Sequence, residues 1–124
     1  MNKQKSYIGN INDFSDYGGW FIGQFIDKDK YPLLKSNEFK VAWKELPKNF
    51  TEKKHIHKKA IEVNIVISGW MEITIDGNRQ KVSEKQFYII YPNTPLSIQG
   101  TGENTKVIVI KCPSVKDDKF VEEQ

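Results

Sequence analysis

The chain consists largely of short segments in which apolar and polar residues alternate, and turn-forming residues separate one segment from the next. Alternation with a period of two is typical of a β-strand with one buried face, and no segment longer than a turn or two has helical periodicity. The segments predicted as strands are 38–44, 52–56, 61–67, 70–75, 79–82, 86–91, 96–99 and 105–112. Asp76-Gly77 is a strong signal for a two-residue hairpin. The sequence therefore predicts an all-β barrel or sandwich.

Residues 1–37 precede the first clear alternation and form a predicted N-terminal extension. Residues 1–19 are polar, 20–26 are aromatic and β-prone and predict an early strand, and 27–37 predict a loop. We expect this extension to pack on the barrel or on a partner subunit. Residues 38–124 are expected to form the barrel with a short C-terminal tail.

The first barrel strand carries two alternating sets of side chains, apolar Phe39, Val41 and Trp43 against Lys40, Ala42 and Lys44. This pattern predicts a half-buried strand. The three tryptophans, Trp20, Trp43 and Trp70, are predicted to be structural, and a place in an interface is the alternative for Trp70.

Composition and charge limit the classes of partner. The chain has 124 residues, with 19 basic against 16 acidic side chains and a net charge of +3, which is too mild to indicate nucleic-acid binding. It has no apolar run long enough for a membrane helix, and no apolar signal segment follows its first residues. The single cysteine, Cys112, is predicted to be a small core residue and favours a reducing, cytoplasmic setting. Four lysines lie on either side of the histidines in the sequence: Lys53, Lys54, Lys58 and Lys59. They are expected either to form a solvated loop face or to attract an anionic ligand to the site.

Both histidines of the chain fall in one stretch, His55-Ile56-His57, and Glu62 follows five positions later. Residues i and i+2 point to the same face of a strand, so one ion can contact both imidazoles, and Glu62 would join them from the next strand. Two imidazoles and a carboxylate suit a divalent ion such as zinc, manganese, iron or nickel. The alternative is a set of ordinary polar side chains on an exposed strand.

The predicted strand 61–67 has two different faces. One carries Glu62, Asn64 and Val66, and the other is wholly aliphatic. If Glu62 points into the barrel, the aliphatic face points out and needs a cover, which the N-terminal extension or a second subunit would supply. We therefore expect a homodimer. The residues expected to contact a ligand in the cavity are Asn64, Tyr88, Gln24 and Tyr91.

These residues carry a resemblance to the cupin superfamily that covers roughly residues 39–112. His55-x-His57-x4-Glu62-x6-Gly69 resembles the first cupin motif, with Asn49 in place of its leading glycine. Residues 86–95 resemble the second motif, whose Pro-Pro-Gly-x-Pro appears as Tyr-Pro-Asn-Thr-Pro. The segments 13–14, 19–23 and 113–119 resemble the two ends of small bacterial single-domain cupins that have no settled activity. The resemblance implies a double-stranded β-helix, or jelly-roll barrel.

One departure from the cupin pattern concerns the metal. The second motif usually supplies a further histidine ligand just after its last proline, and Leu96 stands there. The resemblance then implies a divalent-metal cupin acting on a small polar molecule, as an isomerase or epimerase of a sugar or sugar acid, or as an oxygenase. The alternatives are a non-catalytic ligand-binding protein and a structural cupin with a degenerate metal site. No dedicated general base is evident, since Tyr88 and Glu62 are the only candidates.

Overall fold

The computed structural model describes residues 5–122, and its strands form two antiparallel five-stranded sheets arranged as a small jelly roll. The strands are β1 (Trp20–Ile22), β2 (Lys40–Leu46), β3 (Glu52–His57), β4 (Ile61–Ser68), β5 (Trp70–Ile75), β6 (Asn78–Ser83), β7 (Phe87–Ile90), β8 (Leu96–Thr101), β9 (Thr105–Cys112) and β10 (Lys119–Val121). The first sheet has the order β1-β2-β9-β4-β7 and the second has the order β10-β3-β8-β5-β6. The predicted all-β jelly roll is confirmed. No helix among residues 5–122 is long and apolar enough to cross a membrane.

Side chains at alternate positions of both sheets fill the space between them. Val66 and Val107 come from the first sheet and Met71 and Ile73 from the second, and each of the four is at most 1% exposed. Burying a side chain of this size contributes about 1.5–3 kcal/mol. The apolar side chains whose alternation predicts the strands therefore also hold the two sheets together.

Three of the turns with positive φ bear on the sequence predictions. Asp76 (φ 49°) and Gly77 (φ 84°) join β5 to β6, with Ile75 paired to Asn78, so the predicted two-residue hairpin is confirmed. Asn49 (φ 65°) and Asn93 (φ 67°) adopt the left-handed conformation. Asparagine tolerates that conformation better than most residues, which explains how it stands where the two cupin motifs have glycine.

The N-terminal extension has a small core of its own. A 3₁₀ helix, Ile11–Tyr17, contributes Phe14, which packs with Ile26 and Leu34. The extension joins the first sheet through β1, which pairs with β2. The strand expected over residues 20–26 ends at β1's third residue, because Gly23 leaves the pairing with β2 and bridges to Lys35 instead.

The strand β2 turns its lysine side inward. Ala42 is fully buried in the main core, and Lys40 and Lys44 share its face, while Phe39 on the other side is 37% exposed. A half-buried strand normally turns its apolar face to the core. Here the wall of a cavity takes the place of a packed core, so long polar side chains are accommodated on the inner face.

The C-terminal tail closes the second sheet. Strand β10 pairs with β3, and the Asp118 carboxylate accepts hydrogen bonds from the backbone N–H groups of Lys58, Lys59 and Ala60. The expectation that Cys112 is a core residue is wrong, because its side chain is exposed. The inward positions at this end of β9 are the odd-numbered ones, and Cys112 follows the outer face.

Candidate functional site

A cavity of about 640 Å³ opens into the barrel beside the histidine strand. Strands of both sheets line it, and the segment between β9 and β10 closes one side. His55, His57, Glu62, Asn64 and Tyr88 all contribute to its wall. Five of the seven residues that the sequence nominates for metal or ligand contact are therefore brought together around one space.

The two histidines lie on the inner face of β3. His55 is 3% exposed and His57 is 6% exposed, and their rings meet edge to face with centroids 5.3 Å apart. His55 Nδ1 lies 2.9 Å from the Lys53 carbonyl oxygen, which can only accept, so Nδ1 carries the proton. Burial lowers the pKa of His55. His55 is therefore neutral near pH 7, with a free lone pair on Nε2.

Glu62 is a buried carboxylate with three polar neighbours. His57 Nε2 lies 3.0 Å from its Oε1, the Lys111 ammonium lies 3.7 Å from the same oxygen, and the Asn64 amide donates to Oε2 at 2.6 Å. Burial alone would raise the pKa of Glu62, but His57, Lys111 and Asn64 together lower that pKa to about 2. Glu62 is therefore ionised at neutral pH.

His57 Nε2 is a buried nitrogen without a hydrogen bond. It is close to the Glu62 carboxylate, but it makes no properly aligned hydrogen bond within residues 5–122. Buried polar atoms in folded proteins almost always have a partner, so a cavity-wall imidazole nitrogen whose one polar contact is this poorly aligned carboxylate is placed to engage a group bound in the cavity.

The donor set can be compared with what a divalent ion requires. The chemistry fits, because the site offers two imidazole nitrogens and an ionised carboxylate, and the Lys53 carbonyl fixes the tautomer of His55 in the way that outer hydrogen bonds orient metal ligands. The present side-chain positions do not converge on one point: in the described part of the chain, no three His, Cys, Asp or Glu side chains are placed to hold an ion. Binding would require the side chains of the site to move closer together.

Leu96 occupies the place where the cupin pattern has a further histidine. It starts β8, lies directly opposite His55 in the β3–β8 pairing, and is 2% exposed within the main core. An apolar side chain there adds packing and no ligand atom. The site therefore has at most two imidazoles.

Two predicted ligand contacts lie away from the cavity. Tyr91 follows β7 with its side chain 59% exposed. Gln24 lies in the N-terminal extension, where its backbone N–H donates to Ser114 Oγ at 3.0 Å. Neither residue lines the cavity, contrary to the expectation from sequence. By contrast, Tyr88 is buried at the cavity wall, and burial, followed by Glu62, raises its pKa, so its hydroxyl keeps its proton.

Sequence reasoning missed the cationic wall of the cavity. Lys40, Lys44 and Lys111 line it together with Trp20, which the sequence assigned a structural role. The four lysines that bracket the histidines in sequence are all exposed. The alternation of side chains along β2 is the signal that could have identified Lys40 and Lys44 as cavity residues, since both share a face with the small residue Ala42.

Glu52 is a further missed residue at the cavity wall. Its Oε1 lies 3.8 Å from His55 Nε2, and its Oε2 accepts from Lys119 at 2.6 Å. Glu52 precedes the histidines on β3, and an irregularity in the β3–β8 pairing between Glu52 and His55 brings them together. Such an irregularity is not visible in the sequence.

Comparison with known proteins gives the same architecture. The sequence profile of the cupin domain family matches residues 42–111. KdgF from Halomonas sp. is similar in structure with a TM-score of 0.62 at 15% identity, over 66% of this chain and 76% of that protein. Pac13, a nucleoside dehydratase from Streptomyces, gives 0.62 at 11% identity over 71% of each chain.

A third similar structure is the oxalate decarboxylase of Bacillus subtilis. Its TM-score is 0.63 at 19% identity, and the match spans 77% of this chain but 26% of the decarboxylase. No curated protein matches the sequence significantly. At these identities the structural similarity establishes the fold.

Proposed function

The chain belongs to the cupin domain family, and from this premise we propose that it binds a small polar molecule in its barrel cavity, next to a divalent metal ion held by His55, His57 and Glu62. The observation that carries the proposal is the buried His57 Nε2, which makes no aligned hydrogen bond within residues 5–122 and lies 3.0 Å from an ionised carboxylate at the wall of a 640 Å³ cavity. The candidate ions are zinc, manganese, iron and nickel.

The residues around the cavity have distinct parts in this proposal. The Lys53 carbonyl holds His55 in the neutral tautomer whose Nε2 can bind a metal, and Asn64 fixes the orientation of the Glu62 carboxylate. Tyr88 keeps its proton and offers a hydroxyl donor to a ligand. A bound ion would polarise a carbonyl or hydroxyl oxygen of the ligand.

The reaction class proposed is isomerisation or epimerisation of a sugar or sugar acid, with oxygenation as the iron-dependent possibility. An enzymatic role is supported by two of the similar structures, which are a nucleoside dehydratase and an oxalate decarboxylase. The low identities mean that this support is by analogy of fold.

The second candidate is a cupin that binds a small ligand without turnover, or serves a structural role, with a degenerate metal site. The surroundings of Glu62 favour it, because Lys111 and Asn64 already engage both carboxylate oxygens. Leu96 in place of the further histidine points the same way. In this case the Lys111 ammonium supplies the positive charge beside Glu62.

Metal analysis separates the two candidates. The protein is purified without chelators, and bound metal is measured by elemental analysis for the wild type, for His57→Ala and for the matched control Lys59→Ala in the exposed loop that follows β3. The first candidate predicts about one ion per chain in the wild type and the control, and a large loss in His57→Ala. Low metal content in all three, not restored by adding divalent ions, would favour the second candidate.

We also propose that the protein is a homodimer formed through the outer faces of β4 and β7. Ile67, Phe87 and Ile89 are 38%, 67% and 45% exposed on this side of the first sheet. The N-terminal extension joins the sheet at β1, the opposite edge from β7, and therefore leaves this face uncovered. An exposed patch of aliphatic and aromatic side chains is typical of a self-association surface.

Analytical sedimentation measures the oligomeric state directly. The wild type is expected to sediment as a dimer at micromolar concentration, and Phe87→Asp as a monomer. Phe120→Asp, which changes an exposed phenylalanine of β10 on the other sheet, serves as the control and should remain dimeric. A monomeric wild type would contradict the proposed dimer.

A further inference from the structure

Three lysines surround one tryptophan at the cavity wall. The ammonium groups of Lys40, Lys44 and Lys111 lie 4.9, 5.1 and 5.5 Å from the centroid of the Trp20 ring. Each distance is within the range of a cation–π contact, in which the face of the indole ring attracts the ammonium group. Trp20 thus gathers three positive charges at one side of the space that His57 and Tyr88 also line.

The register of the first sheet forces these charges together. Lys40 lies directly opposite Lys111 in the β2–β9 pairing, and both point to the inner face. Like charges in directly opposed positions destabilise a sheet. An arrangement that is unfavourable for folding alone points to a ligand that compensates it.

The carboxylates of the cavity wall are largely engaged elsewhere. Glu52 accepts from Lys119 at 2.6 Å, and the Asp118 oxygens accept backbone N–H groups. Glu62 is 3.7 Å from Lys111. Within residues 5–122, Lys40 and Lys44 form no ion pair, and Lys44 donates instead to the Gly18 carbonyl at 2.6 Å. The inner face of β2 therefore carries two ammonium groups that have no direct ion-pair partner in the described residues, although Glu52, Glu62 and Asp118 line the same cavity.

The surroundings of Lys40 and Lys44 disfavour their protonated, charged form. Burial, followed by the nearby Lys111 charge, lowers the pKa of both Lys40 and Lys44. An anion placed between the ammonium groups would relieve that repulsion and replace the lost hydration of the charges.

We infer that the barrel cavity takes an anionic small molecule, whose carboxylate or phosphate group is held by Lys40, Lys44 and Lys111 beside Trp20. The polar remainder of the ligand then faces His57 and Tyr88 across the cavity. The inference rests on the proposed function only in that the cavity binds a small molecule, and the lysine site does not require a metal.

The test uses two simple anions, malonate for the carboxylate class and inorganic phosphate for the phosphate class. Binding is measured by calorimetry on protein freed of metal with a chelator and then desalted, in Tris chloride at fixed ionic strength. The variants are Lys40→Gln and Lys44→Gln. The matched control is Lys81→Gln, because Lys81 also sits over a tryptophan, Trp70, at 4.6 Å, but on exposed β6.

The inference predicts that at least one of the two anions binds the metal-free wild type, and the tighter one identifies the ligand class. Lys40→Gln and Lys44→Gln should each weaken binding by about tenfold or more, and Lys81→Gln should change it less than about twofold. Without anion, Lys40→Gln should melt at or above the wild-type temperature, since it removes like-charge repulsion; a lysine with a purely structural role would instead lower the melting temperature.

Three results would overturn the inference. One is that neither anion binds the metal-free wild type. Another is equal anion affinity in Lys40→Gln, Lys44→Gln and Lys81→Gln. The third is anion binding that appears only after a divalent ion is restored and disappears in His57→Ala, which would place the anion on the metal. Absence of metal in the wild type would contradict the metal proposal without contradicting the lysine site, so the failure of one proposal can be distinguished from the failure of the other.

Discussion

Replacing Asp118 measures how strongly the C-terminal segment holds the loop that joins the two ligand strands. The Asp118 side chain is 8% exposed. Its Oδ1 accepts from the backbone N–H groups of Lys58 at 3.1 Å and Lys59 at 2.9 Å, and its Oδ2 accepts from that of Ala60 at 2.9 Å. This loop separates His57 from Glu62, so the carboxylate fixes the approach of β3 to β4 at the candidate metal site.

The expected cost follows from these three donors. A hydrogen bond to a charged group contributes about 1.5–3 kcal/mol net, and a typical hydrogen bond about 0.5–1.5 kcal/mol, which is the range we apply to donors that water can reach. Ala60 is buried, whereas Lys58 and Lys59 lie in an exposed loop. Asp118→Ala should therefore lower the free energy of unfolding by about 3–5 kcal/mol, which corresponds to a fall of about 10–20 °C in melting temperature. Asp118→Asn keeps one acceptor oxygen and should cost about 1–2 kcal/mol.

The assay is urea unfolding followed by tryptophan fluorescence at pH 7. Asp117→Asn provides a matched control, because Asp117 is the exposed neighbour with φ 53°, a conformation that asparagine also tolerates. The control should stay within about 0.5 kcal/mol of the wild type. If Asp118→Ala were as stable as Asp117→Asn, the three hydrogen bonds would have no stabilising role and the reasoning would be refuted.

Three further predictions use the same unfolding assay. Gly69→Ala should cost about 2–4 kcal/mol, because Gly69 has φ 75° and a Cβ would lie 2.7 Å from Thr105 Cα; an unchanged stability would contradict it. The difference in free energy of unfolding between the wild type and Glu62→Gln should shrink by about 2 kcal/mol between pH 7 and pH 3, because the folded pKa of Glu62, about 2, lies below the ordinary 4.5 and the stability that the ionised carboxylate contributes is lost as pH falls. A difference that stays constant with pH would argue against it. Met71→Ala, at a side chain that is 1% exposed, should cost about 2–5 kcal/mol, and a cost below 1 kcal/mol would mean that the core collapses around the gap.

Much of the fold was predictable because strand signals are local. The alternation over residues 105–112 gave β9 with its observed bounds, and Asp76-Gly77 gave the hairpin at its observed place. Alternation also placed Glu62 and Asn64 on one face of β4, and the structure buries both. Where the signal failed, as in residues 20–26, a tertiary pairing of Gly23 decided where the strand ended.

The candidate site was predictable only in part. The cupin-like spacing gave His55, His57 and Glu62, and strand parity added Asn64. Two of the expected contacts, Gln24 and Tyr91, lie outside the cavity, because the N-terminal extension packs at one edge of the sheet and Tyr91 lies beyond the end of β7. Their positions depend on packing between distant segments, for which the local sequence has no signal.

The sequence by itself determined most of the strands, the shared face of the two histidines and the shared face of Glu62 and Asn64. Each of these follows from a period of two residues within one strand. Only the tertiary structure decided that Lys40 of β2 meets Lys111 of β9 beside Trp20, and that Lys111 approaches Glu62. Such contacts depend on strand order and register across the sheet, and these are set by the packing of the whole barrel rather than by any local pattern.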